Sequence, residues 1–261
     1  GDFDPQTQAD VQAERLVVSL LAHHFPSLAV VGEEGIRSEQ LFRPTEDVPG
    51  LGRTFGEVAR EAGDHLCNVA EWEVEVPSGL QGATWRDVTV WVDPLDGTKE
   101  LLQGNLASVT VLLGVSVRSQ PLLGVIHQPL VPRPRTVWGG RGVGVWQHLQ
   151  GQVAAQAVPV PPPPPSLRSE RPAVMTTRSH RSGQVDRALA RLGDVDVLPI
   201  GGAGGKALKL LWGEADAWVF PSKGTKRWDT AAGEALLAAM GGSLVRFTTG
   251  QPYSYARQGH G

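Results

Sequence analysis

Hydrophobic positions along the chain repeat with two different periods. Val11, Ala13, Leu16, Val17, Leu20 and Leu21 recur at helical spacing and Pro26 ends the run, which predicts an opening helix. Leu28-Ala29-Val30-Val31 predicts a short strand ending at Gly32-Glu33-Glu34. Residues 36–65 are polar and broken by Gly and Pro, so an irregular excursion is expected. Val88-Thr89-Val90-Trp91-Val92 is β-branched and aromatic without alternation, the pattern of a buried strand. It stops at Asp93-Pro94, and a helix start is expected at Asp96 to Glu100. Strands follow at 108–115 and 122–126, and the short link Arg118-Ser119-Gln120 predicts an antiparallel hairpin. Thr136-Val137-Trp138 is a further strand, followed by a Gly-rich stretch to Gly144.

Beyond a polyproline run at Pro161–Pro165, strands and helices alternate. Strands are expected at 173–177, 195–200 and 215–220, and helices at 185–192, 206–211 and 230–240. Such alternation argues an α/β fold. The expected organisation is a first α+β subdomain over 1–158, a Pro-rich linker at 159–166 and an α/β subdomain over 167–261. A ligand role for the prolines in a protein interaction is the alternative to a linker.

Composition narrows the function classes. The 261 residues carry 24 Lys+Arg against 27 Asp+Glu, a net charge of −3, which argues against a binder of the nucleic-acid backbone, whose usual mark is a basic excess. No apolar run nears the ~20 residues of a membrane span. The polar start Gly1-Asp2-Phe3-Asp4 is not expected to be a signal peptide. The single Cys67 fits a reducing compartment, so a cytoplasmic location is expected, and seven His with one Cys offer no zinc-type cluster.

The chemistry concentrates in Trp91-Val92-Asp93-Pro94-Leu95-Asp96-Gly97-Thr98. Two carboxylates stand three residues apart where a buried strand ends, and strand ends in α/β folds are where ligands bind. Magnesium prefers hard oxygen donors in octahedral array at about 2.1 Å. Asp93, Asp96 and the Leu95 carbonyl could supply three of them from one turn. The plainer reading is that Asp96 caps a helix and Asp93 makes a turn. Glu33 at another strand end and Asp229 at a helix start in Trp228-Asp229-Thr230 add acids that could converge on the same ions. Gly201 to Lys206 looks like a phosphate loop but fails, because Ile200 and Ala207 stand where Gly and Ser/Thr are required.

Gly32-Glu33-Glu34, Trp91 to Thr98 and Trp228-Asp229-Thr230-Ala231-Ala232, in that order, resemble the inositol monophosphatase-like superfamily of magnesium-dependent, lithium-inhibited phosphatases. Thr7 to Asp10, Asp93 to Glu100, Gly124 to Pro129, Thr176 to His180 and Gly201 to Lys206 resemble its 3′(2′),5′-bisphosphate nucleotidases. The resemblance implies an αβαβα sandwich of the inositol monophosphatase and fructose-1,6-bisphosphatase type, with terminal helices missing at both ends. It implies two or three Mg²⁺ ions on Glu33, Asp93, Leu95, Asp96 and Asp229, and a catalytic pair Asp10 and Thr98 that orients and deprotonates water. Thr98, Thr177, His180, Gly202 and Lys206 would hold a nucleotide bisphosphate, with Lys206 on the second phosphate. The implied reaction releases the 3′ (or 2′) phosphate of adenosine 3′,5′-bisphosphate. The alternatives are an inositol phosphate phosphatase and an inactive ligand-binding remnant.

Overall fold

The computed structural model describes residues 7–67, 80–152, 158–161, 171–178 and 182–257. Helix α1, Gln8–His24, opens on Thr7, whose hydroxyl accepts from the Asp10 amide while the Asp10 carboxylate accepts from the Thr7 amide at 2.7 Å. Strand β1, Ala29–Gly32, follows, then a small hairpin of β2, Asp47–Val48, and β3, Arg53–Thr54. Helix α2 runs Phe55–Cys67. The expected irregular excursion therefore ends at Thr54. Phe42, Val48, Phe55 and Ala59 bury against Leu16 and Leu20 of α1, and this packing overrides the Gly and Pro punctuation upstream.

The central sheet is built on β4, Val88–Asp96. It pairs in parallel with β1, Gly32 lying opposite Val92. On its other side runs an antiparallel meander of β5, Thr110–Val117, β6, Gln120–Gln128, β7, Arg135–Gly140, β8, Gly144–Leu149, and β9, Val158–Pro159. The β5–β6 turn is carried by Arg118 and Ser119, both with positive φ (46° and 73°), as a two-residue hairpin of matching twist requires. Strand β8 was not expected from the Gly-rich stretch before it.

Between β4 and β5, the helix expected from Asp96 shrinks to α3, Thr98–Leu102, and Asp96 stays in the strand. Four further elements follow, two strands and two helices. They are β10, Ala173–Thr177, α4, Gly183–Ala190, β11, Asp196–Ile200, and α5, Ala203–Leu211. With β12, Ala217–Trp218, the two strands form a three-stranded parallel sheet of order β11-β10-β12. The strand expected over 215–220 is reduced to these two residues. Helix α6, Arg227–Ala239, completes the set.

The layers follow from which side chains each face buries. On one face of the large sheet, Gly32 meets Glu14 of α1. On the other face Trp91 packs on Ala231 of α6, and Leu112, Ile126 and Val137 bury against α5 and α6. Trp218 of β12 packs on the far side of that core, and α4 covers β10 through Val174, Val185 and Leu189. The result is the αβαβα sandwich. Helix α6 lies so close to the sheet that a Cβ at Gly124 would sit 2.2 Å from the Ala232 carbonyl oxygen. Among the described residues no helix is long and apolar enough to cross a membrane. The polyproline run lies outside the described residues after Pro161.

Candidate active site

Elements of both sheets and two helix starts meet at one cavity of about 330 Å³. Glu33 follows β1, Asp93, Leu95 and Asp96 close β4, Asp229 lies in the first turn of α6, and all five line it. The far wall carries Thr177 at the end of β10, Gly202 and Lys206 at the start of α5, Trp218 at the end of β12 and Phe220 after it. His180 falls outside the described residues.

The end of β4 is shaped by its own side chains. The ladder to β5 breaks register between Asp93 and Asp96, and the Leu95 amide donates to Asp93 Oδ1 at 3.1 Å, the turn expected of an Asp before Pro. Gly97 turns the chain at φ 89°, a backbone that costs other residues strain. Thr98 Oγ1 then lies 3.1 Å from Asp10 Oδ1 and 3.2 Å from the Leu95 carbonyl. Asp10 itself is buried, and its other oxygen accepts from the Thr7 amide and hydroxyl.

Asp93 is 2% exposed, and its carboxyl is pushed well above the usual range by burial first, then by the negative charge of Asp96, Glu33 and Asp229. Glu33 lies close enough to Asp93 for its carboxylate to add to that upward push. Among the described residues no three acidic, imidazole or thiol groups close into a tight cage, and the acids ring the cavity instead. A ring of hard oxygen donors carrying excess negative charge fits Mg²⁺, which keeps several waters and demands no all-protein cage.

Asp96 is tied into the fold through both oxygens of its side chain. Its carboxylate caps a helix, though not α3. Oδ1 accepts from the Ala203 amide at 2.8 Å, and Oδ2 accepts from the Gly204 amide and the Thr110 hydroxyl, each at 2.7 Å. The strand end is thereby tied to α5 and to the far wall. Lys206 is also committed. Its ammonium donates to the carbonyls of Ile200 (3.3 Å) and Gly202 and lies 4.9 Å over the Trp218 ring. Burial lowers it to about 8, against the pull of nearby Asp96, Glu100 and Asp229.

Sequence reasoning passed over two buried acids. Glu100, 1% exposed, pairs with Arg178 at 3.1 Å across the two sheets. Glu14, with no exposed surface, accepts from the Glu34 amide at 2.8 Å and the Ile36 amide at 3.0 Å. Its position one helical turn after Asp10, on the same face of α1, was the available signal.

Comparison with known proteins places this geometry. The human 3′(2′),5′-bisphosphate nucleotidase 1 is 35% identical over 254 residues, 93% of this chain and 71% of its own length. The solved structure of CysQ from Bacteroides thetaiotaomicron, described as a bacterial member of the inositol monophosphatase family, superposes with a TM-score of 0.57 at 21% identity, covering 95% of this chain and 89% of its own. An IMPase/NADP phosphatase complexed with Mg²⁺ and phosphate superposes with a TM-score of 0.59 at 17% identity, over 92% of this chain and 70% of its own. The profile of the inositol monophosphatase family matches residues 1–261. With the acids of the signature order gathered at one cavity of the matching fold, the chain belongs to the inositol monophosphatase family and is a phosphatase.

Proposed function

We propose that the chain is a magnesium-dependent phosphomonoesterase that removes the 3′ (or 2′) phosphate of adenosine 3′,5′-bisphosphate, giving AMP and phosphate. The observation that carries this reading is the meeting of Glu33, Asp93, Asp96 and Asp229 at one cavity beside the hydrogen-bonded pair Asp10 and Thr98. Nucleotide preference rests on likeness to the human bisphosphate nucleotidase. Two or three Mg²⁺ ions on those acids and the Leu95 carbonyl would acidify the attacking water and neutralise charge on the leaving oxygen.

The chain's own residues do the rest. Thr98 accepts a hydrogen bond from the attacking water and passes its own proton toward Asp10, which is held as an acceptor by Thr7. Asp96 fixes the strand end against α5, so both walls keep one spacing about the phosphorus. Thr177, Gly202 and Lys206 form the nucleotide side, to which the resemblance to the bisphosphate nucleotidases adds His180. The reading assigns the acids to a subdomain over 1–158, except Asp229, which the subdomain over 167–261 supplies.

The test is phosphate release from adenosine 3′,5′-bisphosphate and from inositol 1-phosphate, by the wild type and Asp93→Asn, with and without Mg²⁺. Release from the bisphosphate by the wild type in Mg²⁺ alone is expected. Faster release from the inositol phosphate would overturn the substrate, and equal rates in all four conditions would overturn the mechanism.

A further inference from the structure

We infer that Glu14 is a positioning residue, which sets the placement of Glu33 from behind; the inference rests on the proposed metal site. The chain from Gly32 to Ile36 leaves the sheet and needs partners for its amides. The Glu33 amide keeps the ladder, donating to the Val92 carbonyl at 3.1 Å, next to Asp93. Beyond it the sheet offers nothing, and Glu14 takes over. One carboxylate oxygen accepts from the Glu34 amide at 2.8 Å and the other from the Ile36 amide at 3.0 Å. Glu33 is therefore bracketed by β4 on one side and by α1 on the other, and its side chain is left to face the cavity that it lines.

The fit is close. A Cβ at Gly32 would lie 2.3–2.4 Å from all three atoms of the Glu14 carboxylate. The carboxylate occupies the space a side chain would fill, and only glycine admits it. Glu14 has no exposed surface, and its two carboxylate oxygens are taken up by those two amides. Glutamine has the same shape but presents one acceptor and one NH₂ group, which would meet an amide hydrogen donor to donor. The loop must then turn, carrying Glu33 with it. Asp10 lies one turn earlier on α1 and meets Thr98. One helix face thus holds both the loop after β1 and the turn after β4, and fixes the distance between them.

The test is calorimetric titration of the full chain with Mg²⁺ alone, without substrate, for the wild type, Glu14→Gln and Gly32→Ala. Glu234→Gln is the control, a buried carboxyl bonded instead to the Tyr255 hydroxyl at 2.6 Å. Partners behind a metal ligand are commonly worth about 10–100-fold in affinity, and a loss of that size is expected for Glu14→Gln and Gly32→Ala, with none for Glu234→Gln. Hydrogen exchange should quicken at the Glu34 and Ile36 amides of Glu14→Gln, and excess Mg²⁺ should restore its kcat with KM for substrate unchanged. Should Glu14→Gln not fold, Gly32→Ala, which displaces the same carboxylate, gives the result. Wild-type affinity in these variants, or an equal loss in Glu234→Gln, overturns the inference alone. A wild type that binds no Mg²⁺ overturns the metal reading and the inference with it.

Discussion

Thr98 has one hydroxyl proton and two acceptors within reach, Asp10 Oδ1 and the Leu95 carbonyl. If the Leu95 carbonyl turns to a cation, that proton goes to Asp10 alone. Thr98→Ala should then lower kcat by about 10²–10⁴ while Mg²⁺ affinity stays, with Thr98→Ser recovering most of the rate. Steady-state rates beside calorimetry decide it, and an unchanged kcat would remove Thr98 from the proton path. Lys206 makes a different residue-scale prediction. Its folded value of about 8 lies below the ordinary 10.5 because the ammonium is buried. Below pH 8 it is charged folded and unfolded, and the fold bears the whole desolvation. Between 8 and 10.5 only the unfolded chain keeps the proton, so stability contributed at this site rises with pH. At about 1.4 kcal/mol per unit, the wild type should gain up to about 3 kcal/mol on Lys206→Met over that range. Urea unfolding of both proteins from pH 7 to 11 measures the gap, and a constant gap refutes it.

Elements carried the site with unequal visibility in the sequence. Strand β4 was legible because it is buried on both faces and so reads as an unbroken apolar run ending at the reacting turn. Helix α1 was legible by its period, and the β5–β6 hairpin by its short link. Helix α2 was not, because its apolar face matters only once α1 lies beside it. Nor was the cap on α5, whose acceptor Asp96 stands far away in sequence at the end of β4. Close approach of elements also hides in glycines. Gly124 lets α6 rest on β6, with the Ala232 carbonyl where a Cβ would go. Gly124→Ala should therefore cost about 1–3 kcal/mol by overpacking, and should weaken Mg²⁺ binding, since α6 carries Asp229. Gly183→Ala, in α4 with only the Arg187 guanidinium 3.4 Å away, should instead gain about 0.5 kcal/mol. Urea midpoints test the pair, and a Gly124→Ala protein as stable as the wild type would place α6 farther from the sheet.

At the scale of the whole molecule, the acids of the cavity come from opposite ends of the chain, and no local pattern could reveal their meeting. Each one alone is compatible with a cap or a turn. Their order along the sequence pointed to the site only through its resemblance to a family, and the fold supplies the physical reason by ending β1 and β4 and starting α6 at one place. That convergence has a cost that belongs to the fold, not to any single element. Asp93 holds a proton more tightly folded than unfolded, because burial and three neighbouring acids oppose its charge. Its contribution to stability is present at low pH and is lost as pH rises through the raised folded value. Asn at this position imitates the protonated acid at every pH. In EDTA at neutral pH, Asp93→Asn should therefore melt above the wild type. Adding Mg²⁺ should reverse the order. A cation bound to the native state at 100 times its dissociation constant adds about 2.7 kcal/mol, worth roughly 5–10 °C for a chain of this size. The variant, lacking the proposed central ligand, should barely respond. Calorimetric melts in EDTA and in saturating Mg²⁺ give all four temperatures. A crossing of the two proteins makes the acid ring a cation site held open against its own repulsion, whereas parallel shifts would mean that Mg²⁺ stabilises the protein from somewhere else.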